Sequence, residues 1–366
     1  MSAVPRRVPT ALFAAFGAVV TACGGGDGGD VTNPPPAATG SLTVTVAAAS
    51  GLAAAVQVTG PGGFARSLTS STTLSGLAPG AYTVAATDIA DAGMRHVPSP
   101  RSVTAPVTAG GAATASVAFA LPIASRSTSD RSDEAGGAQV KLLYALPVDG
   151  VDQGRDTSGV IQRSASSWQR WLSAQAGGRH FRLDTFDGGA DVQFVRLPRS
   201  DATYRGYGVF IRDTIEKDLV AAGVAASATK LYLVYYEGGH VDRCASAAWP
   251  PALPGRVAAI YLHGTIAGGR NCDQNSFVTV PTAAPGYLEF VAAHELIHLL
   301  GGVSTSAADH GLGGHTIVDP ADLMYAGPSA WQPSKFDVAR RSYYNPAGLP
   351  SGVMNFASSP FVVTPP

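Results

Sequence analysis

The sequence predicts an α+β domain preceded by a small all-β domain. Residues 41–121 hold short runs of alternating apolar and small polar residues between Gly and Pro turns, a pattern typical of a β-sandwich. Residues 138–366 mix apolar runs with amphipathic segments of helical period, which predicts strands and helices around a shared core. The chain has 366 residues, of which 45% are hydrophobic, and this is enough for two cores.

The first residues predict export. A basic pair precedes an apolar run over residues 8–20, which is too short to cross a bilayer as a helix. The run ends in Val-Thr-Ala before Cys23, which resembles a bacterial lipobox and implies cleavage of residues 1–22 and lipidation of Cys23. Gly24 implies the outer membrane in a cell that has one. We expect a membrane-anchored exported lipoprotein, with an ordinary signal peptide or a membrane span as alternatives.

Two segments rich in Gly, Asp and other small or polar residues predict flexible connections, a tether over 23–40 and a linker over 122–137. Between them, the predicted strands cover residues 42–46, 55–59, 66–69, 82–86, 102–104 and 115–119. The segment at 76–84 resembles the prealbumin-like or carboxypeptidase-regulatory-like modules of bacterial surface proteins. No residues here have catalytic spacing, so the predicted role of this β-domain is that of a spacer.

The larger domain, residues 138–366, has two kinds of predicted element. Apolar runs predict strands at 140–146, 181–184, 192–197, 230–236 and 256–263. Helical periodicity predicts helices at 158–176, 208–222 and 285–300. Three histidines of this domain have no partner at ligand spacing and are expected at the surface or in the core: His180, His240 and His263.

The predicted helix at 285–300 carries the chemistry. His294 and His298 are four residues apart, so their imidazoles lie on one helix face and can bind a single Zn²⁺. Glu295 stands beside them, where its carboxylate can take a proton from a zinc-bound water. The flanking residues are nearly all apolar, which argues against a solvated face that carries two histidines by chance.

The third ligand must come from farther along the chain. No Glu follows Glu295, which excludes a downstream glutamate ligand. The remaining candidates are His310 and His315, with Asp309, Asp319 and Asp322 as oxygen donors. For Asp319 and Asp322 we favour support of a ligating imidazole, or a role in a turn.

The order of residues after the helix resembles metzincin zinc peptidases. Gly301 stands at the metzincin glycine, whereas Ser304 replaces the usual third histidine. Gly314-His315 and the later Asp319-Pro-Ala-Asp322-Leu-Met324-Tyr325 are similar to secreted bacterial metzincin-like proteins, in which a longer loop precedes a Gly-His and the Met-turn. The resemblance implies His315 as third ligand, with His310 as the alternative, and Met324 as the apolar floor beneath the zinc.

The same resemblance implies further features of the larger domain. It implies a zincin or metzincin-like fold, a closing helix at 335–345, and an edge strand, which we place at 260–263, that binds extended peptide by strand addition. Tyr325 is a candidate to stabilise the oxyanion, although the metzincin tyrosine stands two residues after the Met rather than one.

Once Cys23 is assigned to lipid, two cysteines remain, Cys244 and Cys272. In an oxidising compartment they predict one disulfide, with two free thiols as the alternative. Neither stands in a CxxC pair, which disfavours zinc ligation. The net charge of −1 gives no electrostatic reason to expect nucleic acid as a partner.

Together these features predict a membrane-anchored zinc endopeptidase with one Zn²⁺ per chain and a protein or peptide substrate. Two alternatives stay open: a non-catalytic zinc-stabilised module for surface binding or adhesion, and a zinc hydrolase of a non-peptide or cell-wall bond.

Overall fold

The computed structural model describes residues 38–49, 51–266, 270–272 and 284–365. These residues form mostly β-sheet with few helices. The predicted signal segment, Cys23 and the tether as far as residue 37 lie outside the described residues. Among the described residues, no helix is both long enough and apolar enough to span a bilayer.

Nine strands at the start of this part form two sheets, ordered β4-β1-β9-β7-β6 and β3-β2-β5-β8. They are β1 (Gly40–Ala47), β2 (Val56–Gly60), β3 (Phe64–Leu68), β4 (Thr72–Leu77), β5 (Gly80–Ala86), β6 (Ile89–Asp91), β7 (Met94–Ser99), β8 (Ser102–Val107) and β9 (Ala112–Ala120). Alternate residues of both sheets, such as Leu42 and Val84, are fully buried and share one core. Each of the six predicted strands overlaps one of these.

The rest of the chain is built on a five-stranded sheet of order β14-β10-β15-β17-β16. Its strands are β10 (Gln139–Leu146), β14 (Val192–Arg196), β15 (Lys230–Tyr236), β16 (Ala245–Trp249) and β17 (Leu253–Tyr261). Short strands complete this part in pairs: β11 (His180–Phe181) with β22 (Val362–Val363), β12 (Thr185–Phe186) with β13 (Gly189–Ala190), β18 (Thr265–Ile266) with β19 (Arg270–Asn271), and β20 (His310–Gly311) with β21 (His315–Thr316).

Helices cover both faces of the five-stranded sheet. They are α1 (Val160–Gln175), α2 (Asp201–Arg205), α3 (Ile211–Ala221) and α4 (Tyr287–Leu299). Side chains of a strand point to opposite faces in turn. Leu142 therefore packs in the core with α1 and α4, whereas Leu143 packs in the core with α3. The sheet is buried on both sides, which explains the nearly continuous apolar runs of β10 and β15.

The predicted edge strand at residues 260–263 is wrong. Ile260 and Tyr261 belong to β17, which is paired with β15 on one side and with β16 on the other. The edge is β16, which runs antiparallel to β17. Apolar patterning identifies a strand but leaves its order in the sheet open, so the sequence did not reveal this arrangement.

The predicted closing helix at residues 335–345 is also wrong, because this segment forms turns and bends. Asp337 has a left-handed backbone with φ 47°. Its carboxylate accepts four backbone N–H groups at 2.7 to 3.2 Å, those of Arg341, Ser342, Tyr343 and Tyr344. Side-chain oxygens thus replace the carbonyls that a helix would provide.

Residues of the predicted linker, 122–137, pack against the five-stranded sheet and its loops. Arg126 donates to Asp156 at 2.7 Å. The ammonium group of Lys230 donates at 2.6 to 2.8 Å to three carboxylates, those of Asp130, Asp133 and Asp184. This carboxylate cluster has the spacing of a metal site, but lysine already neutralises it.

Candidate metal centre

Helix α4 presents His294, Glu295 and His298 from a buried position. Gly286 N donates to the carboxylate of Glu289 at 3.0 Å, which stabilises the first turn. Both imidazoles are nearly inaccessible to solvent because apolar residues surround the helix. The helix ends at Leu299, and Gly301 follows in the left-handed region with φ 89°. The chain can therefore turn back toward the histidines.

The β20–β21 hairpin brings His315 to the same point. Val303 N donates to Gly314 O at 2.8 Å, which anchors the hairpin close to the end of α4. A Cβ on Gly314 would lie 2.6 Å from the ring of Trp249, so this close approach requires glycine. His294, His298 and His315 are grouped closely enough to hold one metal ion.

Hydrogen bonds orient each of the three rings. The Nδ1 atom lies 2.7 Å from Leu323 O in His294, 2.9 Å from Gly302 O in His298, and 3.0 Å from Leu312 O in His315. A carbonyl only accepts, so each Nδ1 carries the proton and each Nε2 keeps a lone pair. Such contacts are the usual support of a metal-ligating imidazole.

The three Nε2 atoms converge. That of His298 lies 3.1 Å from Nε2 of His294 and 3.2 Å from Nε2 of His315. These contacts are not hydrogen bonds, because all three nitrogens are acceptors. Tetrahedral ligands at the usual Zn–N bond length lie about 3.3 Å apart, so the donor set fits Zn²⁺.

Burial keeps the imidazoles neutral. It lowers the pKa of His294 to about 3, and it also lowers the pKa values of His298 and His315. A neutral imidazole is the form that binds a metal. Burial also raises the pKa of Glu295 to about 8, although the positive charge of Arg243 opposes this shift. The carboxylate of Glu295 thus stands in a low-dielectric setting beside the histidines.

The turn that contains Met324 lies against His294. Met324 is fully buried, and Leu323 supplies the carbonyl that orients His294. The Asp322 carboxylate accepts hydrogen bonds from Met324 N, Val338 N and the hydroxyl of Tyr343, each at 2.8 Å. The carboxylate of Asp319 accepts one bond, from Ala321 N. Both aspartates therefore stabilise this turn by accepting hydrogen bonds from its backbone.

The other candidate ligands lie outside the three-histidine group. His310 is directed to Val303 O, and its ring stacks on Trp249 with the centroids 5.7 Å apart. Asp309 forms an ion pair with Arg341. Three further histidines also lie elsewhere: His180 contacts Gly178 O, His240 contacts Asp242, and His263 contacts Glu237.

Two cavities flank the histidines. The first, about 260 Å³, has aromatic and apolar walls from Tyr287, Val291, Tyr325 and Trp331. The second, about 420 Å³, is lined by His298, His315, Trp249 and Leu253. Both are also lined by the same four residues: Asp242, Arg243, Ala245 and Glu295. Sequence reasoning missed the tryptophans and Arg243, because none stands at a recognisable spacing from the HExxH motif.

The predicted disulfide is present and borders this site. Cys244 and Cys272 are joined with their Cα atoms 5.4 Å apart. Cys244 directly precedes β16 and also lines the first cavity. The disulfide therefore ties the start of the edge strand to the segment before α4.

No protein-family model matches the chain, and no curated protein matches its sequence. Similar solved structures include the archaemetzincin of Methanopyrus kandleri, with 14% identity and a TM-score of 0.29 over 54% of this chain and 89% of that chain. GBS52, the minor pilin of Streptococcus agalactiae, is 10% identical, with a TM-score of 0.21 over 25% of this chain. The match spans 48% of the pilin, about half its length. Likeness at this level does not establish a family.

Proposed function

We propose that this chain is a zinc-dependent endopeptidase anchored to a membrane through lipidated Cys23. The proposal is supported above all by the convergence of three Nε2 lone pairs, with Nε2 of His298 3.1 and 3.2 Å from those of His294 and His315, beside the buried side chain of Glu295. Neutral histidines packed in this way repel one another unless a cation lies between them. His294, His298 and His315 would bind one Zn²⁺.

When bound, the ion supplies Lewis-acid chemistry, polarising the substrate carbonyl and making water more acidic. Glu295 takes one proton from the attacking water as the new C–O bond forms. The electron pair of the carbonyl π bond moves to the carbonyl oxygen. Glu295 then delivers the proton to the departing nitrogen as the C–N bond breaks and the electron pair on the oxygen re-forms the C=O bond. The products are an amine and a carboxylic acid, which keeps the second proton of the water and then releases it to the solvent.

The sheet edge favours a peptide as substrate. Strand β16 is paired only on its β17 side within the described residues, and its residues Ala245 and Ser246 line the second cavity beside Glu295. An extended chain could hydrogen-bond to the free edge of β16 while its side chains enter the two cavities.

The deciding experiment uses the purified full chain. Bound metal is measured by mass spectrometry, and the same preparation digests a mixed peptide library, with Glu295→Gln as the matched control. We expect one zinc per chain in both proteins and cleavage by the wild type alone. Zinc without cleavage would favour a zinc-stabilised binding module or a zinc hydrolase of another bond. A chain that binds no zinc would exclude the endopeptidase and both of these alternatives.

A further inference from the structure

The loop before the edge strand directs a cation toward the reaction centre. We propose that Arg243 is a further catalytic residue, which donates an N–H to the carbonyl oxygen of the scissile bond as that oxygen gains negative charge. This inference rests on the proposed peptidase function and adds a residue to its chemistry.

The position of Arg243 follows from the two cavities. A residue that lines both cavities lies at the boundary between them, and Arg243 and Glu295 are two of the four residues that do so. His294 lines only the first cavity, and His315 lines only the second. A peptide that occupies both cavities therefore places its scissile bond at the junction, between the general base and the guanidinium group.

The guanidinium group is held in place and still has donors to offer. Asp242 accepts from Nε of Arg243 at 3.0 Å and from Nη2 at 3.5 Å. Asp242 in turn lies 2.8 Å from Nδ1 of the buried His240. Among the residues that the structure describes, Nη1 has no hydrogen-bond partner, and the side chain of Arg243 is 40% exposed. An arginine that is both positioned and accessible can bind an oxyanion at little entropic cost.

The backbone around Arg243 is also held in place, by contacts with β17 and by the disulfide. The disulfide holds the adjacent Cys244, and Tyr261 N donates to Cys244 O at 2.7 Å. A Cβ on Gly264 would lie 2.5 Å from the carbonyl oxygen of Arg243, so the two backbones are in close contact. These contacts attach the residue to β17 rather than leave it on a free loop.

Tyr325, the oxyanion donor suggested by the sequence, is less well placed for this role. It lines only the first of the two cavities, whereas Arg243 lines both. Arg243 is moreover always charged, so its donors stay available over the whole working pH range.

The test compares Arg243→Ala, Arg243→Met and Arg243→Lys with Arg205→Ala. Arg205 is an exposed arginine next to the same loop that lines neither cavity. The substrates are peptides without acidic side chains and with amidated C-termini. We expect kcat to fall about 10²- to 10³-fold in the Ala and Met variants, with KM changed less than about threefold. Lysine should restore part of the loss, and added guanidinium ion should partly rescue Arg243→Ala.

A second readout does not depend on turnover. A phosphinic peptide, which mimics the tetrahedral transition state, should bind the Met variant more weakly by the same factor as the loss in kcat/KM. Zinc content and the unfolding midpoint confirm that each variant is intact.

Three outcomes would overturn the inference. Variants with kcat close to wild type would exclude a catalytic role while the peptidase function stands. Unchanged turnover of these neutral peptides, together with a loss on a parallel set that carries acidic side chains, would make Arg243 a receptor for substrate carboxylates. A wild-type chain that cleaves nothing would remove the proposed function itself, and the inference with it.

Discussion

Each imidazole of the candidate metal centre uses Nδ1 to fix its ring and directs Nε2 toward the other two rings. The fixing partners are all backbone carbonyls, from Leu312, Leu323 and the Gly302 that follows α4. A carbonyl cannot change its protonation state, so the tautomer of each histidine stays constant with pH. The donor set is therefore oriented by the fold itself.

The two histidines of the hairpin should differ in their effect on metal binding. His315→Ala removes one of three nitrogen donors, and we expect zinc affinity to fall more than about 100-fold. His310→Ala should retain one tightly bound zinc, because its ring packs on Trp249 outside the donor group. Competition with a chelating dye measures both affinities. The opposite ranking would make His310 the third ligand.

Glu237, which directly follows β15, is a buried carboxylate with several hydrogen-bond partners. Glu237 accepts from Arg155 at 2.6 and 2.9 Å, from Tyr144 at 2.8 Å, and lies 2.7 Å from Nε2 of His263. Burial by itself would raise the pKa of Glu237, but these hydrogen bonds outweigh burial and lower the pKa to about 2.

This shift predicts a pH-dependent stability. A carboxyl group whose pKa is lowered on folding stabilises the fold above its unfolded pKa of 4.5 and loses that contribution as the pH falls toward 2. We expect Glu237→Gln to lower the free energy of unfolding by roughly 2 to 3 kcal/mol at pH 7. The difference from wild type should shrink below pH 4.5. Urea unfolding of both metal-free proteins at pH 7, 4.5 and 3 measures it, and a constant difference would contradict the assignment.

For individual residues of the site, the sequence was informative where their placement depends on local spacing. The pairing of His294 with His298 follows from helix geometry alone, and so does the place of Glu295 beside them. Arg243 could not be predicted, because it reaches the same cavities from a loop 51 positions before His294. Contacts between distant parts of a chain depend on strand order, which no local pattern contains.

The turn around Met324 connects the rest of the fold to the candidate metal centre, because its Leu323 carbonyl orients His294. We expect Asp322→Ala to cost about 2 to 4 kcal/mol of stability, because it leaves buried N–H and O–H donors without an acceptor. Since the same turn orients His294, zinc affinity should fall about 10- to 100-fold. Asp319→Ala is the matched control, because that carboxylate accepts only from Ala321 N. Urea unfolding and zinc titration of both variants test the difference, and equal effects would refute it.

The disulfide should stabilise the wall of the first cavity, which Cys244 lines. It joins residues 28 positions apart, so in the chain-entropy model its loss costs about 3 to 4 kcal/mol. The double variant Cys244→Ser, Cys272→Ser should unfold at correspondingly lower urea concentration, and its midpoint should not respond to reductant. The wild type under reducing conditions should approach the variant. An equal midpoint for oxidised wild type and variant would contradict this expectation.

Two predicted elements failed for physical reasons. The segment with Lys335 and Phe336 has a composition suited to a helix, but the carboxylate of Asp337 captures the backbone N–H groups that a helix would need. The edge strand was misplaced because β16 and β17 both carry apolar residues. Only the pairing of β17 on both sides distinguishes them. Local patterns identify strands, but long-range pairing determines which strand lies at the edge of the sheet.

The nine-stranded part of the molecule is in direct contact with the part that contains the five-stranded sheet. Arg95 of β7 donates to Asp187 O at 2.8 Å, and Asp91 pairs with Arg170 of α1 at 3.2 Å. Met94 is buried within the core of the larger part. Their separate hydrophobic cores agree with the patterning of the sequence, whereas these contacts have no sequence signal. The domain limits at 41–121 and 138–366 remain a prediction.

In the proposed function, Cys23 attaches the molecule to a membrane. Acyl chains on this residue would stabilise membrane attachment by about 0.8 kcal/mol per buried CH₂. We expect Cys23→Ser to appear in the soluble fraction, with kcat/KM toward short peptides unchanged, because the site lies far along the chain from the anchor. Fractionation of cells, together with mass spectrometry of the N-terminal peptide, measures this. A Cys23→Ser chain that stays with the membrane would show that another feature, such as an uncleaved signal segment, provides the attachment.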